Sequence, residues 1–143
     1  MHRIFSCGNG STYALGHKNR ESCSTFKQIE FFNGLEEGVS NIGIKTIACG
    51  LSHSGCVLVD GSVYLWGIIC DIQQSKEHME KGILKKPTKI IFKSAADLNG
   101  GNMSHRRRSN VAEDTSSVFI EDLRLGEQFS MALSNKGIVY TWG

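Results

Sequence analysis

"IACGLSHSGCVLVDGSVYLWG" runs from Ile47 to Gly67, and "LRLGEQFSMALSNKGIVYTWG" runs from Leu123 to Gly143. The two stretches overlay without a gap, each residue 76 positions from its counterpart (123 minus 47). Gly50 falls on Gly126, Ser54 on Ser130, Gly61 on Gly137, Tyr64 on Tyr140 and Trp66 on Trp142. Self-similarity at a fixed offset means that one supersecondary unit is used more than once. Each copy reads as a hairpin. A strand of alternating apolar positions (Cys56, Leu58; Ala132, then Ser134) leads through a turn (Asp60-Gly61; Lys136-Gly137) into a strand carrying Val, Tyr and Trp. Asp-Gly between such runs predicts a type I′ turn, which needs φ > 0 at both central residues. A further strand precedes each hairpin, "KTIACG" in one copy and "EDLRLG" in the other.

The N-terminus supplies a third instance of the last strand. "RIFSCG" at 3–8 has the form of "SVYLWG", with Phe5 in the tyrosine place and Cys7 in the tryptophan place. Two periods follow from this: a first repeat over 1–67, made of strand 3–8 plus the hairpin 47–67, and a second over 68–143. Their middles correspond as well, because "STFKQIEF" at 24–31 lies over "KKPTKIIF" at 85–92. The second repeat is longer by an insertion within "SAADLNGGNMSHRRRSNVAEDTSS", residues 94–117, which is polar, aperiodic and reads as a long loop. "SKEHMEKGILKK" at 75–86 is expected to form a short helical turn. Units built only of strands and turns, each ending one strand on Trp-Gly, predict an all-β fold. The expected architecture is a partial β-propeller of roughly two four-stranded blades.

The totals agree with one ordinary domain. The chain has 143 residues, 40% of them hydrophobic, which supplies a core. A net charge of +2 is too mild to point to nucleic acid or an anionic membrane. No apolar run has the length of a membrane span, so the expectation is an intracellular chain, cytoplasmic or nuclear, with no membrane partner. The five cysteines (Cys7, Cys23, Cys49, Cys56, Cys70) form no C-x-x-C pair, which argues against a zinc ribbon. Cys7, Cys49 and Cys56 fall on apolar positions of the other copy and are expected to fill the core as reduced thiols.

"VYLWG", "IACGLSHSGCVLVDG" and the "ALG" of Ala14-Leu15-Gly16 resemble the regulator of chromosome condensation (RCC) repeat. The resemblance spans nearly the whole chain except the insertion. It departs from the family pattern at Gly10, Tyr13, Ala14 and Phe26, and in the second copy at "GIICDIQQS" (67–75) and Phe129. It implies seven-bladed propellers, of which this chain would be a piece whose partners include the remaining blades. It also implies protein–protein interaction or regulation. The alternatives it carries are guanine-nucleotide exchange on a Ran-like small GTPase, and targeting of a ubiquitin ligase or kinase whose catalytic part lies elsewhere.

The residues themselves propose little chemistry. His53 between two serines invites a catalytic or metal role, but the other copy has Phe129 there and neither copy supplies a base or carboxylate in register. His53 and Ser54 are expected to hydrogen-bond the turn that reverses the chain. Gly50, Gly61, Gly67, Gly126, Gly137, Tyr64, Trp66, Ser130, Tyr140 and Trp142 are read as structural motif residues, the aromatic ones serving packing between blades. "CGNGSTYALG" lacks the spacing and lysine of a phosphate-cradling loop. Arg106, Arg107, Arg108 and Ser109 form the one functional-looking loop element, a candidate docking patch or phosphorylation site. No cofactor, no catalysis and no nucleic-acid partner are expected.

Overall fold

The computed structural model describes residues 3–36, 43–69, 82–92 and 118–143. Nine strands are described: β1 (Phe5–Gly8), β2 (Cys23–Gln28), β3 (Ile44–Cys49), β4 (His53–Leu58), β5 (Val63–Ile68), β6 (Ile83–Ile90), β7 (Ile120–Leu125), β8 (Ser130–Ser134) and β9 (Val139–Trp142). They form three antiparallel sheets in the orders β1-β2, β3-β4-β5-β6 and β7-β8-β9. One 3-10 helix, Glu30–Glu36, follows β2. The division of the sequence at 67/68 falls at the end of β5, so each sequence repeat contributes strands to two sheets.

The offset of 76 seen in the sequence is a repeat of register. Cys56 pairs with Tyr64 as Ala132 pairs with Tyr140, and Ser54 with Trp66 as Ser130 with Trp142. Even the irregularity is copied: the register shifts between Ile44 and Thr46, and again between Ile120 and Asp122. β1 is the counterpart of β5, since Ser6 faces Lys27 across its sheet as Leu65 faces Thr88. Gly8, Gly67 and Gly143, which close the three equivalent strands, share a positive φ of 117°, 104° and 131°.

Two expectations need correction. The hairpin turn is not type I′. Gly61 N–H donates to the Leu58 carbonyl at 2.9 Å and only Gly61 has positive φ (79°), so Val59-Asp60 form a type I turn closed by a left-handed glycine. Asp60 favours this form because its carboxylate accepts from the Ser62 N–H (2.9 Å) and hydroxyl (3.0 Å). The second hairpin repeats it, with Gly137 N–H on the Ser134 carbonyl at 3.0 Å. Residues 83–86, expected in a helical turn, open β6 instead, after a left-handed Gly82 (φ 75°); the remainder of that stretch lies outside the described residues.

Apolar residues of the sheets gather into two layers. Cys56, Leu58, Tyr64 and Trp66 of the middle sheet pack against Ile4, Ile29 and Phe32. Val57, Val63, Leu65, Leu84 and Ile90, on its opposite face, pack against Ile120, Leu123 and Ala132 of the third sheet. β4 is buried along its whole length, unlike its counterpart β8, which alternates. Sheets stacked face to face with buried middle strands are the blades of a propeller. The chain folds as a partial β-propeller of the expected all-β class.

Candidate functional site: the joints between the blades

The polar residues singled out in the sequence meet where one blade abuts the next. His53 opens β4 and is 2% exposed; its Nε2 lies 3.0 Å from the Ser130 hydroxyl of β8, itself buried. The ring is held against Gly50. A Cβ there would stand 2.8 Å from His53 Cε1 and would overlap the Gly126 carbonyl oxygen, so the tight "CG-x-x-H" spacing needs glycine for close approach. Phe129 lies against Gly126 in the same way in the second copy, which explains how a phenylalanine replaces a histidine. Burial lowers the His53 pKa and keeps the ring neutral. Among the described residues its Nδ1 has no hydrogen-bond partner.

Ser54 faces the other way. Its hydroxyl donates to the Ala14 carbonyl at 2.9 Å, and the Trp66 indole N–H donates to the same oxygen at 2.7 Å. The expectation that His53 and Ser54 bond their own turn is therefore corrected: one is tied to the following blade and the other to the loop of the preceding blade. Alternation along β4 sends successive side chains to opposite faces, and both faces here carry a neighbour.

Aromatic rings complete the joints. Phe31 and Phe32 pack on Tyr64 (5.7 and 6.0 Å between centroids), and Phe32 on Trp66 at 5.9 Å. Phe92 packs on Tyr140 at 5.2 Å and on Trp142 at 5.6 Å. Both clasps use edge-on or tilted contacts, the geometry that ring quadrupoles favour. Phe31 and Phe92 end the two matched stretches "STFKQIEF" and "KKPTKIIF"; that shared phenylalanine was the signal for a contact that sequence reasoning missed. Trp142 differs from Trp66 in one respect, because among the described residues its buried indole N–H has no partner.

The cysteines divide. Cys56 is buried in the first layer, and burial pushes its thiol up to about 12. Cys7 and Cys49 are exposed, against the expectation of core filling, and Cys23 is half-buried. Cys49 alternates outward at the end of β3, and Cys7 lies on the face of β1 away from the middle sheet. Cys70, the loop 94–117 and Arg106–Ser109 lie outside the described residues.

The loop between β1 and β2 is rigidly built. The Asn9 carboxamide accepts from the Ser11 N–H at 2.9 Å, the Gly10 N–H donates to the Ser22 hydroxyl at 3.1 Å, and Arg20 lies 5.1 Å over the Tyr13 ring. Tyr13 and Lys18 have positive φ (63° and 64°). Two clefts flank the first blade: a groove of about 480 Å³ along residues 3–5 and 44–47, and a small one of about 70 Å³ beside His17, Lys18 and Lys27. Among the described residues no three His, Cys, Asp or Glu side chains cluster as metal ligands, and no helix is long and apolar enough to cross a membrane.

Residues 2–57, which hold the rigid loop, His53 and Ser54, match the family model of the regulator of chromosome condensation (RCC1) repeat. The chain belongs to the RCC-repeat family. It is similar to the human E3 ubiquitin-protein ligase HERC2, at 26% identity over an alignment of 172 residues that covers 99% of this chain and 3% of that protein. It is also similar to Protein RCC1 of Candida albicans, at 32% identity over 105 residues, covering 73% of this chain and 20% of that protein. Among solved structures it superposes on Prp20p of Saccharomyces cerevisiae with a TM-score of 0.65 and 23% identity, over 99% of this chain and 28% of that one. This RCC-repeat chain thus spans well under half the length of these relatives.

Proposed function

We propose that this RCC-repeat chain is a non-catalytic propeller module that docks other proteins, as the 1–67 and 68–143 repeats of a larger protein. The observation that supports it most is where the reactive side chains go. His53, Ser130 and Ser54 are buried in the joints, where their hydrogen bonds link one blade to its neighbours and no substrate reaches them. His53 and Ser130 touch as a base and a nucleophile would, but both are closed off from any substrate (2% and 1% exposed). Among the described residues no carboxylate orients the other ring nitrogen, so the pair supports a joint rather than a nucleophile.

A small GTPase is the partner class favoured second, because Prp20p is described by its binding properties to Gsp1p and histones. Exchange on such a GTPase, ligase targeting and a nuclear or cytoplasmic site of action belong to the same reading. The test is binding of the whole chain to a Ran-type GTPase and to histones, with GDP release measured in parallel. Binding without accelerated release supports the docking module. Release accelerated tenfold makes it an exchange factor, and binding to neither removes the partner assignment.

A further inference from the structure

Ser6 and Lys27 stand opposite each other across the β1–β2 pair, so their side chains leave the same face of the sheet. His17 reaches that face from the loop, with its Nε2 3.0 Å from the Ser6 hydroxyl. Because this hydroxyl donates to the Leu15 carbonyl at 2.7 Å, it accepts from the ring, and Nε2 carries the proton. Gly16 fixes the approach. Its φ is 78°, and a Cβ there would stand 3.1 Å from Ile29 Cδ1 and 3.2 Å from Trp66 Nε1, so the turn is pressed onto the first apolar layer. Lys18 follows, itself in the left-handed region (φ 64°). Gly16, His17, Lys18 and Lys27, with Gln28 and Glu30, line the cleft of about 70 Å³.

Size and charge select the occupant. The cleft holds several times the roughly 10–15 Å³ that one water needs, and falls far below the roughly 300 Å³ of a pocket for a drug-sized ligand. It suits a single tetrahedral oxyanion. Lys18 and Lys27 bring two positive charges and Glu30 one negative, which leaves plus one (2 minus 1) while His17 is neutral. Burial first and then Lys27 lower the His17 pKa, against the pull of Glu30, so the empty cleft disfavours a third cation. An anion reverses that balance. A second proton on His17, at Nδ1, adds a donor without breaking the Ser6 bond and brings the net charge to plus two. We infer that this cleft receives the phosphate of a phosphorylated side chain on a docking partner, with Lys18, Lys27 and protonated His17 as its donors. This rests on the docking reading above and names what the partner carries. A phosphate monoester offers close to two negative charges and three acceptor oxygens, one for each donor. A carboxylate has half that charge and one oxygen too few.

The test titrates the full chain, isotopically labelled, with capped phosphoserine amide, capped serine amide and inorganic phosphate. Phosphoserine is expected to shift the amides of Gly16–Lys18 and Lys27–Gln28 and to raise the pKa read from the His17 ring protons, and serine to do neither. Lys27→Gln, at an exposed position, is expected to weaken binding about tenfold. Glu30→Gln removes the opposing charge and is expected to tighten binding two- to threefold, roughly the effect of one exposed charge, a gain that a purely structural role would not produce. No response, shifts centred elsewhere, a response to inorganic phosphate alone, or unchanged affinity in Lys27→Gln overturns the proposal. A chain that ignores phosphoserine yet binds the GTPase or histones leaves the docking module standing and removes only the cleft. One that takes phosphoserine but binds neither protein keeps the cleft and removes those partner classes.

Discussion

His53→Ala separates a structural histidine from a functional one. The substitution removes the partner of the Ser130 hydroxyl, which is 1% exposed and has no route to water. A buried polar group left unpaired costs about 1–3 kcal/mol. The void left by the imidazole adds about 1–2 kcal/mol, less than the cost of deleting a phenylalanine ring. The expected loss is about 3 kcal/mol, which at a urea m-value of about 2 kcal/mol/M lowers the unfolding midpoint by roughly 1.5 M. Tryptophan fluorescence and circular dichroism in urea at pH 7.5 measure it, provided that the two signals coincide. Ser130→Ala closes a double-mutant cycle with an expected coupling of about 1 kcal/mol. Acidification gives an independent check. Burial holds the His53 pKa below that of the unfolded chain, near 6.5, so the folded state binds fewer protons as the pH falls through that value. Stability is then full above about pH 6.5 and is lost as the pH drops from there through the folded-state pKa. His53→Phe reduces this slope without abolishing it, since the His17 pKa is also lowered, by desolvation first and then by Lys27, against an opposing pull from Glu30. An unchanged urea midpoint for His53→Ala, together with lost partner binding, refutes the reasoning.

Gly61→Ala is expected to cost about 3 kcal/mol, because φ is 79° and the new methyl meets the Phe119 ring at 2.6 Å, whereas Gly137→Ala, with open space around it, costs about 1 kcal/mol; paired thermal melts compare them. Trp66→Phe forfeits the bond to the Ala14 carbonyl and is expected to be about 1 kcal/mol more costly than Trp142→Phe, whose buried N–H has no partner among the described residues; equal urea midpoints contradict this. In the native protein, thiol reagent at pH 8 is expected to modify Cys7 and Cys49 at once and Cys56 only after denaturation, as mass mapping of the labelled peptides shows.

The repeat, the hairpins and the packing role of Tyr64, Trp66, Tyr140 and Trp142 were legible because local periodicity and turn residues dictate them. Burial was less legible, since it depends on which neighbour a face meets. Cys56 and Cys49 look alike in sequence, yet one lies between two blades and the other alternates outward. Asp60-Gly61 pointed to a type I′ turn, and the Ser62 contacts to the Asp60 carboxylate favoured a type I turn instead. The Ala14 carbonyl that accepts from both Ser54 and Trp66 lies 40 and 52 residues from its donors, and no local pattern announces a main-chain acceptor at that range. Gly55 reads as an unremarkable strand glycine until Leu123 is placed above it.

Burial of β4 and β5 on both faces leaves Cys56–Leu58 and Val63–Ile69 with only the Asp60 charge between them. Such a segment combines strong strand propensity with low charge, the composition of a self-associating core. The two flanking blades act as its shields. Damage to either, through the His53 joint on one side or the Ala14 joint on the other, uncovers the same adhesive centre, so destabilised variants are expected to be lost to aggregation and quality control before they are lost to unfolding as soluble chains.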